Sequence, residues 1–390
     1  MKGILSFAPS FVFGVALSLT SVSVSASTDF LKGQLLSDSE YADLVALAKE
    51  KNPPKNGKQY VFGFANLQRN IAFGVKVEQG IEKNANKAGV ALVIADNRLD
   101  GPTALKNAQS FARRNVDYAI EFQTDINFGP AVMKPFNQKS IGVTAIDIPM
   151  KGATFFGANN PKSGFMGGTF LAQAAVAEWG EDKVNKGYLV VGGLAQSGAV
   201  VGMRTGGQIA GFQAKLPGFN EDNIIIIDTK NTLQESFNQM KNVLGRIPKD
   251  AVVMGIAIND QSALGMLRAV QQAQREDQSL FVGMGADELE PLVSEDRFVA
   301  SVGYFPERYG NYLVPIALMS LAGLDIPDSV LVNHVMVTKN NICEFYYEHK
   351  CRDGKGMQLE LDTAKLSAHL DSLRSDPNLK GFESLVPAQP

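Results

Sequence analysis

The chain is poor in the residues that most often carry chemistry. Its 390 residues include two cysteines, three histidines and a single tryptophan. The histidines, His334, His349 and His369, all fall in the last fifth of the sequence. There is no Gly-x-Ser-x-Gly elbow, no His-Glu-x-x-His pair and no Gly-x-x-x-x-Gly-Lys phosphate loop, which excludes the commonest hydrolase, zinc-protease and nucleotide-binding signatures. Glycine pairs do occur, at Gly167-Gly168, Gly192-Gly193 and Gly206-Gly207. None stands in a dinucleotide fingerprint, so they read as close packing and tight turns. Positive charge is not in excess either. Lys and Arg number 37 against 40 Asp and Glu, for a net charge of −3. That balance disfavours nucleic acid and anionic membrane as partners, and no cofactor is called for.

Long hydrophobic runs are confined to the N-terminus. Lys2 precedes an apolar stretch from Ile4 to about Leu19, and small residues then lead to Val24-Ser25-Ala26. This is the pattern of a cleavable signal peptide spanning residues 1–26. An uncleaved anchor is the alternative, weakened by Pro9 and several serines. Ser27 stands where a lipoprotein would carry cysteine. A mature protein in the periplasm is therefore expected, where the nearby pair Cys343 and Cys351 would favour a disulfide. Metal binding by the pair is the rival reading, and it lacks obvious further ligands around His349.

Residues 27–57 read as an N-terminal extension, with helical spacing over Glu40–Lys49, ending in the turn-forming Asn52-Pro53-Pro54-Lys55-Asn56-Gly57. From there short β-branched and apolar runs alternate with helical segments: YVFGFA, VALVIAD, VDYAIEF, SIGVTAID, GYLVVGG, NIIIIDT, AVVMGIAIND, LFVGMGAD and FVASVGYF. Runs apolar on both faces, separated by helices, imply parallel sheets covered on both sides. There are too many units for one comfortable sheet, so two α/β lobes are expected. A (β/α)₈ barrel is the alternative. After Tyr346 the alternation stops, and residues 346–390 read as a tail with one helix near Leu361–Leu373.

Polar residues recur just after these runs, where open α/β sheets bind ligands. Asn66 and Asn70 follow the first, and Asp147, Asn259, Asp287 and Tyr304 follow later ones. Amides and carboxylates offer several donors and acceptors, and aromatic faces pack on sugar rings. Such a set suits a neutral polyhydroxylated ligand. Asn and Asp also cap helices at these same positions, and for any single residue that reading stays open.

From about Tyr60 to Asn340 the chain resembles the type I periplasmic binding proteins of sugar ABC importers, in their ribose-binding branch. GIEKNANKAGVALVIADN looks like the family's first helix and second strand. SIGVTAID resembles its IPVVTVD strand, and GANNPKSGFMGG resembles its hinge turn. AINDQSALGMLRAVQQAQ and VASVGYFPERYG are similar to two further family segments. The resemblance implies two Rossmann-like lobes joined by a three-strand hinge, with crossovers near Asn159, Tyr304 and Asn333. Lobe 1 would be residues 58–159 plus 305–333, and lobe 2 residues 160–304 plus 334–345.

It also implies ligand contacts. Asp147 matches the carboxylate that grips sugar hydroxyls, although Ile148 replaces the arginine that often follows it. Asn259 matches the second-lobe asparagine. Asn231 stands where an aromatic is usual, and Tyr304 where glutamine is. Gln208 occupies the offset of the family arginine, with Arg204 one helical turn earlier as its substitute. Asp287 lies slightly later than the family aspartate, and the first-loop aromatic pair is reduced to Phe73 beside Gly74. The implied function is capture of a sugar or polyol for an ABC permease, without catalysis. A chemoreceptor or sensor partner is one alternative, and an exported α/β enzyme acting on a sugar is another.

Overall fold

A computed structural model describes residues 33–389; the signal-peptide assignment to residues 1–26 lies outside them. Short β-branched and aromatic runs build two six-stranded sheets rather than one barrel. The first sheet holds β1 (Val61–Asn66), β2 (Ala91–Asp96), β3 (Tyr118–Glu121), β4 (Gly142–Ile146), β5 (Thr154–Ala158) and β11 (Ser329–Val332). Its strand order is β11-β5-β4-β3-β1-β2, and every pairing is parallel. The second holds β6 (Tyr188–Gly193), β7 (Ile224–Asp228), β8 (Val253–Ala257), β9 (Ser279–Gly285), β10 (Phe298–Gly303) and β12 (Val335–Val337). Its order is β12-β10-β9-β8-β6-β7, parallel except for the antiparallel β10–β12 pair. Every residue of β3, β8 and β9 is buried, as expected of strands covered by helices on both faces.

The chain passes between the sheets after β5, after β10 and after β11. One imidazole fastens all three passages. The His334 Nε2 accepts a hydrogen bond from the Asn159 N–H at 3.0 Å, and its Nδ1 lies 3.1 Å from the Gly303 carbonyl oxygen. Since Nε2 accepts, Nδ1 carries the proton and donates, so the ring is neutral. Burial holds its pKa down at about 3, which keeps that arrangement at any ordinary pH. His334 looked remote from the α/β core in the sequence, and in space it sits at the junction of the lobes.

The helix Asp38–Lys51 is opened by a capping box between Ser37 and Glu40 and packs Tyr41, Leu44 and Ala48 onto the first lobe. The tail contributes a helix at Thr363–Arg374, capped by Asp362. Cys343 and Cys351 face one another with Cα atoms 5.2 Å apart, within the range a disulfide spans. Among the described residues no helix is long and apolar enough to cross a membrane.

A group buried within the first lobe sets a pH dependence. Glu121, at the end of β3, accepts from the Asn97 amide at 2.8 Å, while its second oxygen has no partner among the described residues. Burial pushes its pKa up to about 8 from 4.5. The folded state therefore holds the proton more tightly than the unfolded chain. The stability this contributes is complete below about pH 4.5 and is lost as pH rises through 8, at up to about 1.4 kcal/mol per pH unit. Urea unfolding of wild type and Glu121→Gln across that range should show the wild type losing stability relative to the variant. Parallel pH profiles would refute the assignment.

Candidate functional site

Loops from the carboxyl ends of both sheets meet around one cavity. Phe122 and Thr124 follow β3, Asp147 and Ile148 follow β4, Leu194 and Ser197 follow β6, and Ile258 and Asn259 follow β8. This is where an open parallel sheet places its ligand, because strand-end loops converge there.

Asp147 is held in a backbone conformation uncommon for a residue with a side chain, at φ +59°. Its N–H donates to the Phe156 carbonyl, and its Oδ1 accepts from the Ala158 N–H at 3.0 Å. Gly157 is required beside it, since a Cβ there would sit 2.5 Å from that Oδ1. Burial raises the Asp147 carboxyl above its ordinary value, and the Arg204 charge and the Ala158 N–H oppose this.

Arg204 reaches the cavity from the helix Gly198–Lys215. Its Nε donates to Asn160 Oδ1 at 2.9 Å and its Nη1 to the Ile258 carbonyl at 2.8 Å. The guanidinium lies 5.0 Å from the centre of the Tyr304 ring, a cation–π contact. Its Nη2 is buried and has no partner among the described residues. Gln208, one turn along the same face, donates to the Ala257 carbonyl instead. The Tyr304 hydroxyl donates to Ser163 Oγ at 3.0 Å, and its ring packs 4.5 Å from His334. Asn259 caps the helix Asp260–Gln272 through Ser262 N–H and donates its amide to Asn231 Oδ1 at 2.8 Å.

Six of the nine candidate residues line the cavity: Phe73, Asp147, Arg204, Asn231, Asn259 and Tyr304. Three do not. Asn66 is buried one layer back, where its amide braces the Gly74 carbonyl and Glu78. Asn70 is exposed in a turn. Asp287 is buried outside the lining, with its N–H donating to Asp260 Oδ2 and its carbonyl taking a bond from Lys76. Burial and the neighbouring Asp260 and Glu288 charges hold the Asp287 pKa well above its usual value. Thr124 and Ser197 were not singled out from the sequence, although each lies in a loop just after a strand.

The cleft is shut on two sides. Ser197 Oγ donates to the Thr124 carbonyl at 3.0 Å, and Gln196 donates to Thr124 Oγ1 at 3.2 Å. Elsewhere Lys76 Nζ from the first lobe donates to the Asp287 carbonyl of the second at 3.0 Å. Phe73 packs against the cores of both lobes.

Residues 62–325 match the periplasmic binding protein domain family. The chain belongs to that family. Over 275 residues it is 26% identical to the ribose import binding protein of Salmonella typhimurium, spanning 69% of this chain and 88% of that protein. Two solved structures share the fold. One is a carbohydrate transporter solute binding protein from Agrobacterium radiobacter in complex with D-arabinose. It has a TM-score of 0.65 and 19% identity, over 75% of this chain and 98% of that one. The other is a 5-methylthioribose transporter solute binding protein from Thermotoga lettingae, in complex with 5-methylthioribose. It has a TM-score of 0.61 and 19% identity, over 74% of this chain and 89% of that one. As a periplasmic binding protein the chain is a solute binder, not an enzyme.

Proposed function

We propose that this periplasmic binding protein is exported through a cleaved signal peptide, captures a small sugar or polyol between its lobes and delivers it to the permease of an ABC importer. The observation that carries this is the pairing, across one cavity, of Asp147 from the first lobe with Arg204 from the second. A carboxylate accepts from hydroxyls and a guanidinium donates to them, so a polyol between the lobes satisfies both at once. Contacts that exist only with both lobes in place favour the closed form, which is the form a permease would recognise. Relatives named for ribose import support a sugar as the cargo.

A calorimetric screen of pentoses, hexoses and polyols tests the reading. A hydrogen bond to a charged group contributes about 1.5–3 kcal/mol, so Asp147→Ala should weaken binding of the sugar found by roughly ten- to a hundredfold. Failure of every sugar and polyol to bind, or unchanged affinity in the variant, would move the ligand out of this cavity. The Cys343–Cys351 disulfide belongs to the same proposal, since export delivers the chain to an oxidising compartment. Denatured, unreduced protein should take up no thiol label; two labelled cysteines would overturn it.

A further inference from the structure

Resting on that reading of the cleft, we infer that the ligand is an amphiphilic sugar: a few adjacent hydroxyls at one end and a deoxy or alkyl-substituted carbon at the other. Most polar groups around the cavity are already engaged within the protein. Ser197 Oγ donates to the Thr124 carbonyl, and Thr124 Oγ1 accepts from Gln196. The Tyr304 hydroxyl is bound to Ser163. The Asn259 carbonyl oxygen caps a helix, and its amide donates to Asn231. Among the described lining side chains, the groups with clear capacity left are the second oxygen of Asp147, the Nη2 of Arg204, the amide nitrogen of Asn231 and the Thr124 hydroxyl proton.

A hexose carries hydroxyls all round its ring, and those turned toward the apolar part of the wall would find no partner there. Each hydroxyl closed into the site without a partner costs about 1–3 kcal/mol. Much of the rest of the wall is apolar, including Leu67, Ile71, Ile148, Leu194, Ile258 and Met284. Ile148 stands directly after Asp147, so the change from polar to apolar wall occurs between adjacent residues. A methyl or methylene group against that wall gains transfer free energy where a hydroxyl would lose it.

The test compares matched pairs by calorimetry: 5-deoxy-D-ribose with D-ribose, L-fucose with L-galactose, and L-rhamnose with L-mannose. The deoxy member of at least one pair should bind tenfold or more tighter than its parent. Leu194→Asn, at the cavity wall, should shrink that ratio; because it may perturb the fold, the wild-type ratio stands as a test by itself. Parent sugars binding as well as or better than their deoxy forms would overturn the amphiphilic ligand while leaving a sugar-binding cleft intact. No binding by these pairs, nor by any other sugar or polyol of the calorimetric screen, would overturn both readings.

A second, independent observation concerns the tail, which lies beyond the residues 62–325 matched to the family. Its helix Thr363–Arg374 buries Leu366 and Leu370 in a cluster with Phe165, Val200 and Met203 of the second lobe. The following turn at Glu383–Leu385 packs on β11 of the first lobe, and the same cluster includes Phe155 and Leu331 there. The geometry points to a strap that joins the two lobes beside the hinge and favours the closed cleft, since its contacts are made with the lobes in that relation. Leu385→Asp should release the first-lobe end while Leu366 and Leu370 keep the other end seated, and Leu385→Ser is the milder companion. Hydrogen exchange should then quicken in ligand-free protein at residues 122–128, a cleft lip that lies outside the strap cluster. Unchanged exchange there in both variants would overturn the strap.

Discussion

Arg204→Ala is expected to weaken ligand binding about a hundredfold and to lower the stability of the ligand-free protein as well. The guanidinium holds Asn160 Oδ1 and the Ile258 carbonyl, stacks on Tyr304 and leaves a buried Nη2 with no partner among the described residues, in a side chain that lines the cavity. Losing one charged hydrogen bond to the ligand costs about 1.5–3 kcal/mol, close to a hundredfold at the upper end. Removing the side chain also strands two buried acceptors, at about 1–3 kcal/mol each. Lysine should not restore either property, because a single ammonium cannot serve acceptors lying in several directions from a planar fork. Calorimetry at a temperature where the variant is folded separates the two effects, and urea unfolding measures the second. Wild-type affinity in Arg204→Ala would place the ligand away from that corner of the cavity.

What could be read from the sequence follows a physical division. The parallel strands were legible because both of their faces are buried, which leaves continuous apolar runs bounded by turn residues. The cavity residues Asp147 and Asn259 were legible because they follow such runs. The same rule also selected Asn66, which turns inward to brace the Gly74 carbonyl, and Asp287, whose side chain is buried away from the cavity lining. Asn259 shows why: it caps a helix and lines the cavity at once, so capping and binding share a position. Arg204 could be found because it stands one turn from Gln208 on the same helical face. In space Gln208 reaches the Ala257 carbonyl and Arg204 the next one, nearer the cavity. His334 could not be found in this way. Its role depends on Asn159 and Gly303, which are distant in sequence and meet only where the two sheets join.

The glycine pairs read as close packing give the last expectation, because the structure makes unlike predictions for neighbouring glycines. The helices Asn160–Trp179 and Gly198–Lys215 approach so closely that a Cβ on Gly168 would overlap the Gln208 carbonyl oxygen, and one on Gly211 the Phe165 carbonyl oxygen. Gly206, on the same second helix, has nothing within 4 Å of such a Cβ. Gly168→Ala must therefore push the helices apart, and overpacking of this kind costs about 1–3 kcal/mol or more. The gain of about 1 kcal/mol in helix propensity offsets only part of that. The displacement also reaches the site, because Arg204 on one helix bonds Asn160 on the other at 2.9 Å. Gly168→Ala should thus lower both the unfolding midpoint and the ligand affinity. Gly206→Ala should leave affinity unchanged and raise stability slightly, through helix propensity alone. If the two variants shifted stability by the same amount, close helix approach would not be what positions Arg204, and the alignment of the binding corner would have to come from the loops.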